Sequence, residues 1–224
     1  KRMDQDDVNR VALENAENTR ILVDGTEVDK TITGYWTDEE IKTVALPSFG
    51  AGTHTLELIV DYNRKTYTEW CYLLGDFGVE VRGDRAVITE PVRELAYGDW
   101  TNQGLPFYAG NLTYHCRLPV GGKDISVRTP HFAGSLVKVV KGSASSPLAF
   151  APYRAELGDC AEGDDVDITV FGNRVNAFGQ VHSTIAKGQF WYGPQAWRSK
   201  NDDWSDEYQL RPMGLLTAPV VETK

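Results

Sequence analysis

Residues 166–171 read Val-Asp-Ile-Thr-Val-Phe, and this stretch decides the fold class. Apolar and polar side chains alternate along it and β-branched residues are frequent, which is typical of a strand with one buried face. Residues 55–60 (TLELIV), 125–128 (ISVR) and 136–140 (LVKVV) belong to the same class. We therefore predict an all-β protein in which alternate side chains of each strand are buried.

Turn-forming residues separate these strands. The chain of 224 residues contains 21 glycines and 10 prolines, which interrupt the alternating runs at short intervals. Helical periodicity is scarce, and its best candidate is a capping-box-like start at Thr37 that is too short for more than one turn. Many short strands with such turns predict a β-sandwich or jelly roll.

Three short stretches in the first half of the sequence each match a stretch in the second half, and the matches occur in the same order in both halves. The matches are 21–25 (ILVDG) with 137–142 (VKVVKG), 51–61 (AGTHTLELIVD) with 162–171 (EGDDVDITVF), and 76–81 (DFGVEV) with 177–182 (AFGQVH). They predict two related β-sandwich modules in tandem. The alternative is that unrelated strand–turn stretches look alike.

The two modules are not equally complete. Residues 104–114 (GLPFYAGNLTY) place a turn and a strand before the first match of the second module, whereas only residues 8–14 occupy that place in the first. We predict a first module at residues 1–97 that lacks its opening strands, and a complete second module at residues 98–224. The boundary falls near residues 97–103, and the incomplete module would expose an unpaired strand edge.

Composition excludes several classes of function. Twenty-three Lys and Arg stand against 32 Asp and Glu, for a net charge of -9, and the lack of a basic cluster excludes a general nucleic-acid binder. The sequence has no apolar run near the ~18 residues that cross a bilayer, so we expect no membrane span. The widely spaced Cys71, Cys116 and Cys160 fit neither a zinc site nor a disulfide framework. The compartment stays open between secreted, cell-surface and cytoplasmic, and the polar start at Lys1 favours a fragment of a longer protein.

Two stretches resemble a known family. Residues 51–58 (AGTHTLEL), preceded by a strand, an Asp-Gly turn and a loop, are similar to the galactose-binding-like, sugar-binding jelly roll of family 2 glycoside hydrolases. Residues 106–114 (PFYAGNLTY) resemble the strand that enters that jelly roll. Such modules also occur at the C-terminal end of large bacterial α-L-rhamnosidase-type enzymes. The resemblance covers about residues 8–221 and implies a fold and a setting, because a fold does not fix an activity.

The resemblance implies that catalysis, if any, belongs elsewhere. In family 2 enzymes the catalytic acids belong to a separate barrel of roughly 250 residues, for which this chain has no room beside two sandwiches. The expected function is a non-catalytic, carbohydrate-associated region of a larger glycoside hydrolase that binds glycan or braces the catalytic domain. Its partners would be glycan and the rest of the parent chain. The alternatives are a self-contained carbohydrate-active enzyme with an unrecognised site and a ligand-free interaction or adhesion sandwich.

Aromatic residues mark the candidate carbohydrate-binding surface. Sugar rings present apolar faces rimmed by hydroxyls, and flat aromatic rings with a few polar anchors suit them. Residues 190–205 and a second cluster at 97–104 (YGDWTNQG) combine both kinds of side chain. The predicted carbohydrate-binding residues are Trp191, Trp197, Arg198, Asp202, Trp204 and Trp100. Core packing is the alternative for the tryptophans, and an ordinary turn is the alternative for Asp99 and Asn102.

The sequence predicts no catalytic residue and no transition-metal site. Its four histidines lack metal-ligand spacing, no G-x-S-x-G motif occurs, and no distant carboxylate pair of the kind used in glycoside hydrolysis stands out. The one candidate for a bound ion is a structural calcium, because oxygen ligands cluster in an acidic turn. The residues of that turn are Asp159, Glu162, Asp164 and Asp165. A plain solvated turn is the alternative, and no other cofactor is expected.

Overall fold

The computed structural model describes residues 8–66, 69–184 and 203–223. Of these residues 44% lie in strands and 6% in helices, and the sheets are antiparallel, which confirms the all-β class. The chain divides into two compact units, Lys1–Phe77 and Gly78–Lys224. The two modules predicted at residues 1–97 and 98–224 are defined by similarity between two parts of the sequence, not by compactness. They stay a prediction. None of the described helices is long and apolar enough to cross a lipid bilayer.

The first unit contains two antiparallel sheets. Its strands are β1 (Val8–Leu13), β2 (Thr19–Val23), β3 (Thr26–Glu27), β4 (Ile32–Trp36), β5 (Asp38–Ala45), β6 (Leu56–Val60) and β7 (Tyr72–Gly75). One sheet has the order β4-β5-β1-β7 and the other has the order β3-β2-β6. Val11, Leu13 and Val44 of the first sheet pack with Ile21 of the second and with Ala16 between them, forming a small core.

The predicted helix start at Thr37 is wrong, because the residues after it form strand β5. Thr37 has a φ of 71° and lies in the tight connection between β4 and β5. Strand β5 pairs with β4 on one side and with β1 on the other. These two ladders satisfy the backbone of a segment whose local capping signal favours a helix, so tertiary pairing overrides the local preference.

The second unit is larger and carries the main core. Its elements are β8 (Gly78–Arg82), β9 (Arg85–Thr89), β10 (Asn111–Arg117), β11 (Gly122–Arg128), β12 (Leu136–Lys141), β13 (Ala144–Leu148), β14 (Arg154–Cys160), β15 (Asp165–Phe171), β16 (Val220–Glu222) and the short helix α1 (Val175–Phe178). The sheets are β10-β15-β12-β13, β14-β11-β16 and the hairpin β8-β9. Side chains of the first two sheets, such as Ile168 and Ile125, belong to one buried cluster, which is the arrangement of a β-sandwich.

Strand β15 confirms the predicted alternation, whereas β6 does not. In β15 Val166, Ile168 and Val170 are 1%, 2% and 0% exposed, and the strand lies between β10 and β12. In β6 Leu58 and Ile59 are 36% and 43% exposed although they are neighbours. Strand β6 has a partner on one side only within the described residues, so its side chains are covered less completely.

The first two sequence matches coincide with one strand arrangement that occurs in both units. Strand β2 forms a hairpin with β3 and pairs with β6, and β12 forms a hairpin with β13 and pairs with β15. The third match does not coincide with a shared structure, because Gly78–Arg82 is a strand and Val175–Phe178 is helical. A common origin of the two modules stays a prediction.

Candidate functional site

A cleft of about 730 Å³ opens on the surface of the second unit. Three segments form its walls: the hairpin β8-β9, the single-turn 3-10 helix Trp100–Asn102 with its flanks, and a segment that follows residue 203. The lining residues are Val79, Glu80, Val81, Gly83, Thr89, Asp99, Thr101, Asn102, Gly104, Glu207, Tyr208, Leu210 and Pro212. Among the residues that the structure describes, this lining contains no lysine, arginine or histidine, so its polar groups are mainly carboxylates, an amide and hydroxyls.

Main-chain hydrogen bonds fix the three walls. The Val79 N–H donates to the Gly104 carbonyl at 2.8 Å, and the Tyr208 N–H donates to the Gly83 carbonyl at 3.0 Å. Gly104 has a φ of 86°, and a Cβ at this position would lie 2.7 Å from Val92 Cγ2. Glycine is therefore required at this wall for both its backbone conformation and its lack of a side chain.

Asp99 organises the turn at the base of the cleft. Its Oδ1 accepts hydrogen bonds from the Thr101 N–H at 2.9 Å, the Thr101 hydroxyl at 2.8 Å and the Met213 N–H at 3.0 Å. Its Oδ2 accepts from the Asn102 amide at 3.2 Å. Asp99 thus caps the 3-10 helix and ties the turn to residue 213, and the turn interpretation of Asp99 agrees with these bonds.

We expect Asp99→Ala to destabilise the second unit by about 1–2 kcal/mol, the usual range for loss of an N-cap. The substitution also removes the acceptor of the Met213 N–H, so the cleft base loosens. Chemical denaturation of the full chain measures the effect. The matched control is Asp159→Ala, an exposed carboxylate in β14, which should change stability by no more than about 0.5 kcal/mol. Equal effects of the two substitutions would contradict the capping role.

A row of aromatic rings leads out of the cleft. Tyr208, which lines the cleft, lies edge-on to Phe107 with ring centroids 5.3 Å apart, and its ring centroid is 4.8 Å from that of His182. His182 in turn stacks on Trp204, with centroids 4.9 Å apart and an interplanar angle of 25°. Trp204 is 46% exposed, so the row ends in an indole open to solvent.

Hydrogen bonds hold Trp204 in this orientation. Its indole N–H donates to Asp206 Oδ1 at 3.0 Å. The His182 Nδ1 lies 3.0 Å from the Ser205 carbonyl, and since a carbonyl only accepts, Nδ1 carries a proton. The Ser205 N–H donates to the His182 carbonyl at 2.9 Å, and the Thr184 N–H donates to the Asp203 carbonyl at 3.0 Å. Both the ring and its backbone are therefore preorganised.

The predicted carbohydrate-binding residues do not all lie in the part of the chain that the structure describes. Trp204 lies at the exposed end of the aromatic row, as a surface residue. Trp191, Trp197, Arg198 and Asp202 lie outside the described residues, and their roles stay predictions.

Trp100 lies in the core and presents no face to a ligand. Its side chain is 0% exposed and belongs to the main buried cluster of the second unit. Its ring packs edge-on against Tyr108, with centroids 6.1 Å apart, and the main-chain N–H of Trp100 donates to the Met213 carbonyl at 2.9 Å. The predicted stacking role of Trp100 is therefore dropped, because burial leaves its indole inaccessible.

Two carboxylates of the acidic turn considered for calcium make contacts with other protein groups. Asp164 Oδ2 accepts from the Ala161 N–H at 3.0 Å and pairs with Lys141 Nζ at 3.1 Å. These two bonds lower the pKa of Asp164, the bond from Ala161 most strongly. Asp165 pairs with Arg117 at 3.4 Å. Within the described part of the chain, no group of three or more His, Cys, Asp or Glu side chains is arranged to hold a metal ion.

Sequence reasoning missed three residues of this site. These residues are His182, Glu207 and Tyr208. Tyr208 follows Trp204 by four positions in a stretch without strand alternation, and that spacing was the available signal. The contribution of β8-β9 to the cleft could not be foreseen, because it depends on pairing across more than a hundred residues.

Comparisons with protein-family models, with curated proteins and with solved structures found no match to this chain.

Proposed function

We propose that the chain is a non-catalytic, carbohydrate-associated β-sandwich region of a larger glycoside hydrolase, and that it binds glycan in the cleft of the second unit. The parent enzyme is inferred from the sequence resemblance. The binding site is inferred from one observation: the polar cleft continues into an aromatic row that ends at Trp204.

The chemistry of the two parts suits a sugar chain. The exposed indole of Trp204 offers a flat face for the C–H groups of one ring. Tyr208 provides a second aromatic surface inside the cleft, where Asn102 and Glu207 can accept hydrogen bonds from hydroxyls. A cleft of about 730 Å³ is within the usual range of ligand sites. A glycan of two or more rings would contact both parts.

The carboxylates of the cleft support binding more than catalysis. Glu80 accepts from Arg82 Nε at 2.9 Å and from Arg82 Nη2 at 2.8 Å. Asp99 is occupied by the turn that it caps. Glu207 has no ion-pair partner among the described residues and is the one carboxylate left for a ligand. Glycoside hydrolysis by the general mechanism uses two carboxyl groups, so this set favours recognition.

We expect Trp204→Ala and Tyr208→Ala each to weaken glycan binding by roughly 2- to 10-fold, which corresponds to about 0.5–1.5 kcal/mol per aromatic contact. A glycan array first identifies a binding oligosaccharide, and titration calorimetry then compares the variants. The matched control is Trp70→Ala, which removes another exposed indole, 54% exposed, from the first unit.

Two results would contradict the proposal. One is that no glycan binds to the intact chain. The other is that binding persists unchanged in folded Trp204→Ala and Tyr208→Ala but is lost in Trp70→Ala. Turnover of chromogenic glycosides by the chain, abolished by Glu207→Gln, would instead favour the self-contained enzyme.

A further inference from the structure

His54 connects two parts of the first unit. Its Nδ1 lies 2.8 Å from Asp24 Oδ2, in the turn between β2 and β3, and its Nε2 lies 2.9 Å from the Gly50 carbonyl oxygen. The Phe49 ring lies 5.2 Å from the imidazole ring, centroid to centroid. His54 thus links the β2-β3 turn to the loop of residues 46–53, immediately before β6.

The other end of this link is anchored independently of the imidazole. The Asp24 N–H donates to the Thr55 carbonyl at 2.9 Å, and Asp24 Oδ1 accepts from the Thr55 N–H at 2.8 Å. Asp24 has a φ of 49° and is followed by Gly25 at 78°, the left-handed pair of a tight hairpin turn. The carboxylate is therefore held in place whatever the protonation state of His54.

Both ring nitrogens of His54 face groups that only accept hydrogen bonds. A carbonyl oxygen and an ionised carboxylate have no proton to give, and a neutral imidazole has a single N–H. The two contacts can be satisfied together only by the imidazolium form. The pKa of His54 is accordingly raised, first by the bond to Asp24 and then by the bond to Gly50. The pKa of Asp24 is lowered, first by His54 and then by the Thr55 N–H.

We propose that His54 is a pH-sensitive staple, which fastens the loop of residues 46–53 to the β2-β3 turn when the imidazole is protonated and releases that loop when the imidazole is neutral. The bond to Gly50 is the one that breaks. A carboxylate attracts the remaining proton more strongly than a carbonyl does, so this proton stays on Nδ1. The Nε2 lone pair then faces the Gly50 oxygen, and the loop separates from the ring.

The direction of the pH effect follows from the raised pKa. The stabilisation from the staple is complete below the unfolded pKa of histidine, about 6.5, and is lost as pH rises through the folded pKa of His54. On the acid side, the contribution of Asp24 is present above the unfolded value of about 3.9 and is lost as pH falls through its lowered pKa. The loop is therefore held most firmly in mildly acidic solution.

The groups that face the His54 ring come from the β2-β3 turn, the loop of residues 46–53 and the start of β6. Asp24 is the charged side chain that the turn brings to His54, and it is the source of the charge interaction that raises the pKa. The loop contributes the Gly50 carbonyl and the Phe49 ring, and β6 begins beside it with the main chain of Thr55.

NMR of the full, isotope-labelled chain tests the staple directly. The His54 ring signals are assigned by their absence in His54→Gln, with His131→Gln as the matched control for an exposed histidine. We expect a His54 midpoint above about 6.5, a neutral form that carries its proton on Nδ1, and Gly50 and Gly52 amide shifts with the same midpoint. Asp24→Asn should lower the midpoint.

Two outcomes would overturn the proposal. One is a neutral His54 that carries its proton on Nε2, because the Gly50 bond would then survive. The other is a set of loop amides that stays unchanged while His54 titrates. Both measurements are made on the unsubstituted protein, and the His54→Gln variant serves only to assign the His54 ring signals.

Discussion

Trp100→Ala is expected to lower the free energy of unfolding of the second unit by about 3–5 kcal/mol, the range for removal of a buried tryptophan or phenylalanine. The side chain is fully buried and packs in the main core with Tyr114, Met213 and Leu215. Gly214 contacts the same ring closely: a Cβ there would lie 3.1 Å from Trp100 Cε3. Alanine leaves a cavity around which the packed core relaxes only partially, and this adds to the loss of buried apolar surface.

Trp100→Phe should cost clearly less than Trp100→Ala. The indole N–H is buried and has no hydrogen-bond partner within the part of the chain that the structure describes. Phenylalanine keeps much of the apolar contact and removes this unpaired donor, which is costly to bury. Denaturant unfolding of the full chain measures both variants, with Trp204→Ala as a surface tryptophan control. Equal stability of Trp100→Ala and Trp204→Ala would contradict the core assignment of Trp100.

Ile168→Ala is expected to destabilise the second unit by about 2–5 kcal/mol, whereas Ile59→Ala should cost the first unit no more than about 1 kcal/mol. Both residues belong to alternating β-branched stretches that look equivalent in sequence. Ile168 is 2% exposed in the central strand β15, and Ile59 is 43% exposed in β6. Unfolding monitored by residue-resolved NMR separates the two units. Similar losses for the two substitutions would show that β6 is as well covered as β15.

This pair also shows how far the sequence predicts the fold. Alternation and β-branching identify Leu56–Val60 and Asp165–Phe171 as strands, because both properties are local. The position of a strand within its sheet is not local, since it depends on which distant strands pair with it. Strand β15 has two neighbours and β6 has one among the described residues, and the sequence of either strand does not encode this difference.

In the candidate site, too, local sequence features predict some residues and miss those that depend on distant contacts. An aromatic residue in a stretch without alternation predicted an exposed ring at Trp204, and the structure agrees. The same composition around Trp100 predicted a surface ring, but the capping bonds of Asp99 turn that segment inward and bury the indole. Tyr208 also contacts Phe107, which lies far away in the chain, and composition alone cannot specify such a contact.

Titration of the isotope-labelled chain with a glycan selected from an array, followed by NMR, tests glycan binding in the cleft most directly. Binding there predicts saturable shifts at the Trp204 indole N–H and at the amides of Asn102 and Tyr208. The dissociation constant should lie in the millimolar to micromolar range, about 4–8 kcal/mol of binding free energy. Absence of saturable shifts with every glycan tested, or saturable shifts confined to residues 8–77, would contradict the proposed site.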